Sequence, residues 1–232
     1  MDRLADLFRS IKVSLPEKPG LKRFGPHKLE GLELTGAVRL QAPVDLKDPC
    51  SNVILTEGYR NEIDIDDKTG KSIPVLIIAT HRSKIFDLFM DLLDELKSSN
   101  EAECQVKVIF GSTHNNPIKH ESFCREDIDL SLVQSSLHSV KEKILSDGDT
   151  SIAIILHGSD DNFSGVMLDE HKLLFVYNKE RLQDFEKILY SYGIEKNDQI
   201  CFVNEYTHEH CSSKAHYKSF CNLVEEVGAS KS

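Results

Sequence analysis

The densest group of side chains able to bind a ligand or move a proton is Thr207-His208-Glu209-His210-Cys211, with His216 one or two turns further on. Imidazole and thiolate are good donors to zinc and related divalent ions. Residues two apart on an extended segment point to the same side, so His208 and His210 would present their rings together. Cys211 adds a thiolate and His114, far away in the chain, adds another imidazole, which makes zinc the cofactor this set would take. The chain has no Cys-x-x-Cys, His-Glu-x-x-His or His-x-His-x-Asp-His pattern, and metal sites usually carry some such close spacing. The plainer account is a polar loop capped by Ser212 or Ser213 at the next helix.

Other candidates are thinner. His114 sits at the end of a strand-like run and shares a loop with His120 and Glu121, where α/β sheets commonly bind ligands. His81-Arg82-Ser83 opens a helix, where free N–H groups and the helix dipole favour an anion, so Arg82 and Ser83 are candidates to hold a phosphate or carboxylate. Ordinary capping explains the same residues. Asp160-Asp161-Asn162 has oxygens for a hard cation but lacks calcium-loop spacing and suits a hairpin turn. Asp169-Glu170-His171 is a carboxylate–histidine neighbourhood, although residues adjacent in a turn or strand diverge. Gly158-Ser159 is followed by two aspartates rather than the glycine a nucleophile elbow needs, and no dinucleotide fingerprint occurs. Cys124 follows His120 by four residues in a stretch whose polar character, with Pro117, suggests a loop rather than a helix that would pair them. Gly70-Lys71-Ser72 has the ending of a P-loop, but Ile65 stands where its first glycine belongs and a strand follows.

The elements that must position these residues fall into two regions. Residues 1–50 hold five of the seven prolines and four of the twelve glycines, which breaks regular structure and makes an irregular arm. Ahead of the prolines, Leu4, Leu7, Phe8 and Ile11 recur at helical spacing after Asp2, a short amphipathic helix that would dock on the body or on a second copy. Residues 51–232 read as one domain. Val53–Ile65 and Lys71–Thr80 form a hairpin, Ser83 caps a core-facing helix carrying Ile85, Phe86, Phe89, Leu92, Leu93 and Leu96, and Val106–Phe110 is a strand. Ser112–Glu121 is a loop, and one long helix follows over about 128–146. Three antiparallel strands over Ser151–His157, Gly165–Leu168 and Lys172–Tyr177 lead to a helix closed by Gly193, a strand over Ile200–Val203, and a last helix ended by Gly228.

At an offset of 96 residues Phe86 falls on Leu182, Phe89 on Phe185, Leu93 on Leu189 and Leu96 on Tyr192. At an offset of 94, Thr113-His114 falls on Thr207-His208. The expectation is an α/β fold, with α+β as the alternative: a mixed sheet built from two pseudo-repeated βαβ units resembling ferredoxin-like halves, plus the N-terminal arm. Any two amphipathic βαβ units would align comparably, so duplication and coincidence both stand.

The chain carries 28 Lys+Arg against 38 Asp+Glu; residues 1–50 are net +2, so of the total −10 the remainder carries −12. An acidic body disfavours non-specific binding to nucleic acid or anionic lipid. No apolar run approaches membrane-spanning length, the N-terminus lacks a signal-peptide core, and six scattered cysteines do not suggest a disulfide framework, so the expected location is cytoplasmic. Cys104 and Cys201 begin apolar runs and read as small buried hydrophobes.

Phe86-Asp87-Leu88-Phe89-Met90-Asp91-Leu92-Leu93, Asp169-Glu170-His171-Lys172-Leu173-Leu174 and Asp184-Phe185 together resemble an uncharacterised family of bacterial proteins with no assigned activity. The resemblance covers about residues 55–225, implies one compact domain and transfers no catalytic residue. From sequence, then, the favoured function is a cytosolic, non-catalytic domain that binds a protein or small ligand, self-associating, if at all, through the N-terminal helix. The alternative is a metal-dependent, hydrolase-like enzyme using His208, His210 and Cys211, with His114.

Overall fold

Ser72–Ala79 is almost continuously apolar because both faces of this strand are covered: Leu76 and Ile78 point to one buried cluster, Val75, Ile77 and Ala79 to another. That pattern marks an inner strand of a wide sheet. The protein is described here by a computed structural model that covers residues 36–40, 55–65, 70, 72–98, 105–116, 120–157, 163–206 and 208–232. The elements in chain order are β1 (Val38–Leu40), β2 (Gly58–Ile65), β3 (Ser72–Ala79), α1 (Arg82–Ser98), β4 (Gln105–Ser112), β5 (Glu121–Arg125), α2 (Leu130–Ser139), α3 (Lys141–Leu145), β6 (Thr150–His157), β7 (Phe163–Leu168), β8 (Leu174–Tyr177), α4 (Leu182–Ser191), a 3-10 turn (Val203–Glu205), β9 (His208–His210), α5 (Lys214–Val227) and β10 (Ser230–Lys231).

Eight strands form one sheet in the order β10-β5-β4-β6-β7-β8-β3-β2, and every ladder between them is antiparallel. The β2–β3 hairpin pairs from Gly58 with Ala79 to Ile65 with Ser72, and β6, β7 and β8 are the expected three antiparallel strands. Apolar residues of α1 to α5 share one cluster with Leu76, Phe110, Ile154, Val166 and Val176, so the helices layer on one face of the sheet. Phe89 and Phe185 are both fully buried there. On the other face, Ile200, Phe202 and Val203 pack with Val75, Ile77, Phe175 and Tyr177. A separate two-stranded sheet joins β1 to β9, with Val38 opposite His210 and Leu40 opposite His208.

Several expectations need correction. The large sheet is antiparallel, not mixed. In the first crossover, β3-α1-β4, the outer strands do run in the same direction, with β8, β7 and β6 between them. The second unit lacks its closing strand. The Ile200 carbonyl accepts from Arg60 Nη1 at 2.9 Å, its N–H closes a turn on the Asn197 carbonyl, and the chain continues into the 3-10 turn instead of a ladder. The second βαβ unit therefore does not reproduce the first, and the ferredoxin-like halves are not formed. The long helix over 128–146 is broken at Val140, whose φ of −120° leaves the helical region. A strand that the polar sequence hid, β5, follows the His120 loop and pairs with β4.

Helix ends follow local chemistry. Asp129 Oδ1 accepts from the Ser131 N–H at 2.9 Å to cap α2, and Ser213 caps α5 by accepting from the His216 N–H at 3.3 Å. Gly193 and Gly228 close α4 and α5 at φ of 72° and 70°, a conformation that costs a side-chain-bearing residue strain. No helix among the described residues is long and apolar enough to cross a membrane. The expected N-terminal helix, most of the arm, Cys50, Cys104, Gly158-Ser159, Asp160-Asp161-Asn162 and Thr207 lie outside the described residues.

Candidate metal centre

One end of the sheet gathers the chemistry. The end of β4 leads to His114, the segment before β6 supplies Asp147 and Asp149, and the β7–β8 hairpin carries Asp169-Glu170-His171. The β1–β9 ladder docks beside them through backbone contacts: the Cys211 N–H donates to the Ala37 carbonyl at 2.7 Å, and the Gly148 N–H to the Cys211 carbonyl at 2.8 Å. A Cβ on Gly148 would lie 2.2 Å from the Ala37 carbonyl oxygen and 3.1 Å from His210 Cα, so only glycine permits this approach.

His208 and His210, alternate residues of β9, send their rings to the same side, stacked at 18° with centroids 5.2 Å apart. His171 meets both edge-on, at 82° and 90°. The three Nε2 atoms converge: His171 to His208 is 3.0 Å, His208 to His210 is 3.2 Å, and His210 to His171 is 3.3 Å.

The opposite ring nitrogens are held by oxygens. His171 Nδ1 donates to Asp169 Oδ2 at 2.7 Å, and Asp169 is itself fixed by the Leu173 N–H on Oδ1 at 2.7 Å. His208 Nδ1 donates to the Tyr206 carbonyl at 2.7 Å. His210 hydrogen-bonds the Gly148 backbone, and Asp149 Oδ1 lies 3.8 Å from its Nδ1. A carboxylate or carbonyl can only accept, so Nδ1 carries the proton in His171 and His208, and a neutral ring then turns a bare Nε2 lone pair toward the common point.

Burial and charge tune the rings apart. Burial works against a charged His171, but the Asp169 carboxylate and its hydrogen bond outweigh that and raise its pKa. Burial lowers His208 and His210, and the neighbouring His171 charge lowers them further. Lys172 is 4% exposed, and burial brings its ammonium down to about 8 against the pull of Asp169 and Asp147. Its Nζ donates to the Thr150 carbonyl at 2.7 Å and the Asp169 carbonyl at 3.2 Å.

Of the sequence candidates, His208 and His210 are brought together. Cys211, just past the end of β9, is not in the cluster, and neither is His114. His114 joins a neighbouring group with Asp147 and Asp149. Its Nδ1 pairs with Ser112 Oγ at 2.8 Å, and its Nε2 lies 3.0 Å from Asp147 Oδ2. Asp147 also accepts from Thr150 Oγ1 and Ser212 Oγ, both at 2.6 Å. Ser112, His114 and Asp147 have the residue types of a hydrolytic triad, but Ser112 is 1% exposed and no substrate can reach its hydroxyl. The group ties the β9–α5 segment to the sheet. His120 is exposed, and Cys124 lies on β5 against Ile109, Ala153 and Ile155.

Arg82, one of the two anion-binding candidates with Ser83, is engaged within the chain. Arg82 Nη2 donates to Glu142 Oε2 at 2.8 Å, and His81, just before α1, accepts at its carbonyl from the Lys84 and Ile85 N–H groups. The chain supplies its own anion there: Glu57 accepts from Thr80 Oγ1, the His81 N–H and Lys84 Nζ.

His171 and Asp169 are what sequence reasoning missed as ligand and partner. The signal was present in the Asp-x-His spacing. Lys172 adopts φ of 63°, and this left-handed residue turns the hairpin so that Asp169 and His171 face each other instead of diverging.

Models of protein families, characterised proteins and solved structures all fail to match this chain. Function is therefore read from the site itself.

Proposed function

We propose that the chain is a metal-dependent, hydrolase-like enzyme whose divalent ion, zinc by the character of its donors, is held by His171, His208 and His210. This puts the enzyme reading ahead of the non-catalytic binding domain. The observation that carries it is the convergence of three Nε2 atoms at 3.0, 3.2 and 3.3 Å. Tetrahedral nitrogen ligands about 2.0–2.1 Å from a zinc ion stand about 3.3–3.4 Å apart, close to the spacing of these three nitrogens, so His171, His208 and His210 would hold the ion. A shared proton relieves one nitrogen pair at a time and leaves the third lone pair facing its neighbours. One central cation satisfies all three.

Donor number and partners favour catalysis over a structural role. Structural zinc sites usually close with four protein ligands, often cysteines, whereas three histidines leave a position for water or substrate. The Asp169–His171 pair is the carboxylate support that orients and strengthens a metal-binding imidazole. An ion held this way polarises a carbonyl and brings the pKa of a bound water toward neutrality. Around it, the chain's own residues fix the ring tautomers and anchor both hairpin and ladder.

Elemental analysis of untagged protein purified without chelator tests the reading. About one zinc per chain is expected, lost in His171→Ala and in His208→Ala while both variants stay folded by circular dichroism. A metal-free wild type, or zinc retained in both variants, overturns it.

A further inference from the structure

The charges around the open position decide what enters it. Asp169 Oδ2 lies 2.7 Å from His171 Nδ1 and Asp149 Oδ1 lies 3.8 Å from His210 Nδ1. Glu170 shares with Asp169 and His171 a group whose ligand atoms lie within 4.8 Å of one another, and its charge acts on both His171 and His210. Lys172 is the described cation whose charge reaches His171, but its buried Nζ is turned to the Thr150 and Asp169 carbonyls and is not offered to a ligand. Even with Lys172 charged, these three carboxylates balance a bound divalent ion, so the charges of the described residues leave no positive surplus to draw in an anion.

Sites for phosphate or carboxylate usually add arginine or lysine donors that grip the ligand oxygens. Arg82, the sequence's candidate for that task, is already paired with Glu142. His210 is the most open of the three rings, with 28% of its side chain accessible against 14% for His171, so a ligand approaches on the side that Asp149 and Glu170 influence.

Resting on the three-histidine reading, we infer that the open position takes uncharged carbonyl compounds, esters or amides, and rejects phosphate and carboxylate anions. Hydrolysis of such a substrate consumes one water. The acyl C–O or C–N bond breaks, the water oxygen joins the acyl carbon, one proton goes to the leaving alcohol or amine, and the acid product releases the other at neutral pH. No oxidant or second substrate is needed.

Untagged, cobalt-loaded protein at pH 8 and constant ionic strength gives the test through its visible ligand-field absorption. Imidazole, a neutral donor, is expected to shift the band at a concentration at least about tenfold below that needed for inorganic phosphate, given the carboxylates within Coulomb range. Glu170→Gln removes one of those charges and narrows the gap by a factor of about three to ten, the effect of a unit charge some 7 Å away at an intermediate dielectric. In parallel, the zinc-loaded protein should hydrolyse 4-nitrophenyl acetate in a metal-dependent way and leave 4-nitrophenyl phosphate intact. Phosphate shifting the band at or below the imidazole concentration, faster turnover of the phosphate ester, or no turnover of either ester overturns the inference while leaving the metal centre standing. Failure of cobalt to produce any band is the separate result that sinks the centre itself.

Discussion

Asp169→Asn probes the proposed metal centre without touching a proposed ligand. The carboxylate would act on a bound ion through one imidazole: Oδ2 is 2.7 Å from Nδ1, and adding the ring and a metal–nitrogen bond would put the charge roughly 6–7 Å from the ion. At an effective dielectric of about 20, a unit negative charge and a divalent ion at that distance interact by about 5 kcal/mol, of which solvent and the opposing Lys172 leave about half. A loss of about 2–3 kcal/mol is a 30- to 150-fold weakening, overlapping the roughly 10- to 100-fold typical of removing such a partner. Asparagine keeps the shape and can still accept the Leu173 N–H at its Oδ1, so the hairpin should survive. The assay is competition for zinc against a chromophoric chelator at fixed pH, with circular dichroism as the folding control. Asp149→Asn, farther from its ring at 3.8 Å, should cost less. Affinity within twofold of wild type in Asp169→Asn, or a larger loss in Asp149→Asn, would refute the reasoning.

Three further perturbations reach the scaffold. Gly148→Ala drives a Cβ into backbone atoms of Ala37, Cys211 and His210; it should cost about 1–3 kcal/mol in denaturant unfolding and lower zinc content together, and an unchanged zinc content would separate the ladder from the site. Phe89→Ala, at a fully buried position of α1, should cost about 3–5 kcal/mol, and a loss under about 1 kcal/mol would mean that the helix layer is not seated as described. Burial raises the Glu57 pKa, but hydrogen bonds from Lys84 and Thr80 outweigh it and hold the carboxylate below its ordinary 4.5; its contribution is present above that value and lost as pH falls through the lower folded value. Thermal melts from pH 6 to pH 3 should therefore fall less steeply for Glu57→Gln, and equal slopes would contradict the assignment.

Periodicity made much of the scaffold legible. The hairpin of β2 and β3, the apolar stripes of α1 and α4 and the run β6–β7–β8 follow from alternation, helical spacing and turn residues, which are local. Strand order is not local: nothing in the apolar face shared by Phe89 and Phe185 says that Arg60 will claim the Ile200 carbonyl and prevent a closing strand. The site divides in the same way. His208 and His210 were visible as alternate residues of one segment. His171 lies 37 positions before His208, and the left-handed turn at Lys172 and the close glycine contact at Gly148 are where the β7–β8 hairpin and the β1–β9 ladder come together. Cys211 looked like a ligand by proximity in sequence, but it follows the end of β9 and is not among the residues that converge with His208 and His210.

X-ray absorption at the zinc edge of the purified protein tests the central claim most directly. A shell of nitrogen and oxygen scatterers at about 2.0–2.1 Å is expected, with the outer-shell pattern of three imidazoles and one further light atom. A sulfur scatterer at about 2.3 Å, which would place the Cys211 thiolate on the ion, or fewer than three imidazoles, would contradict it.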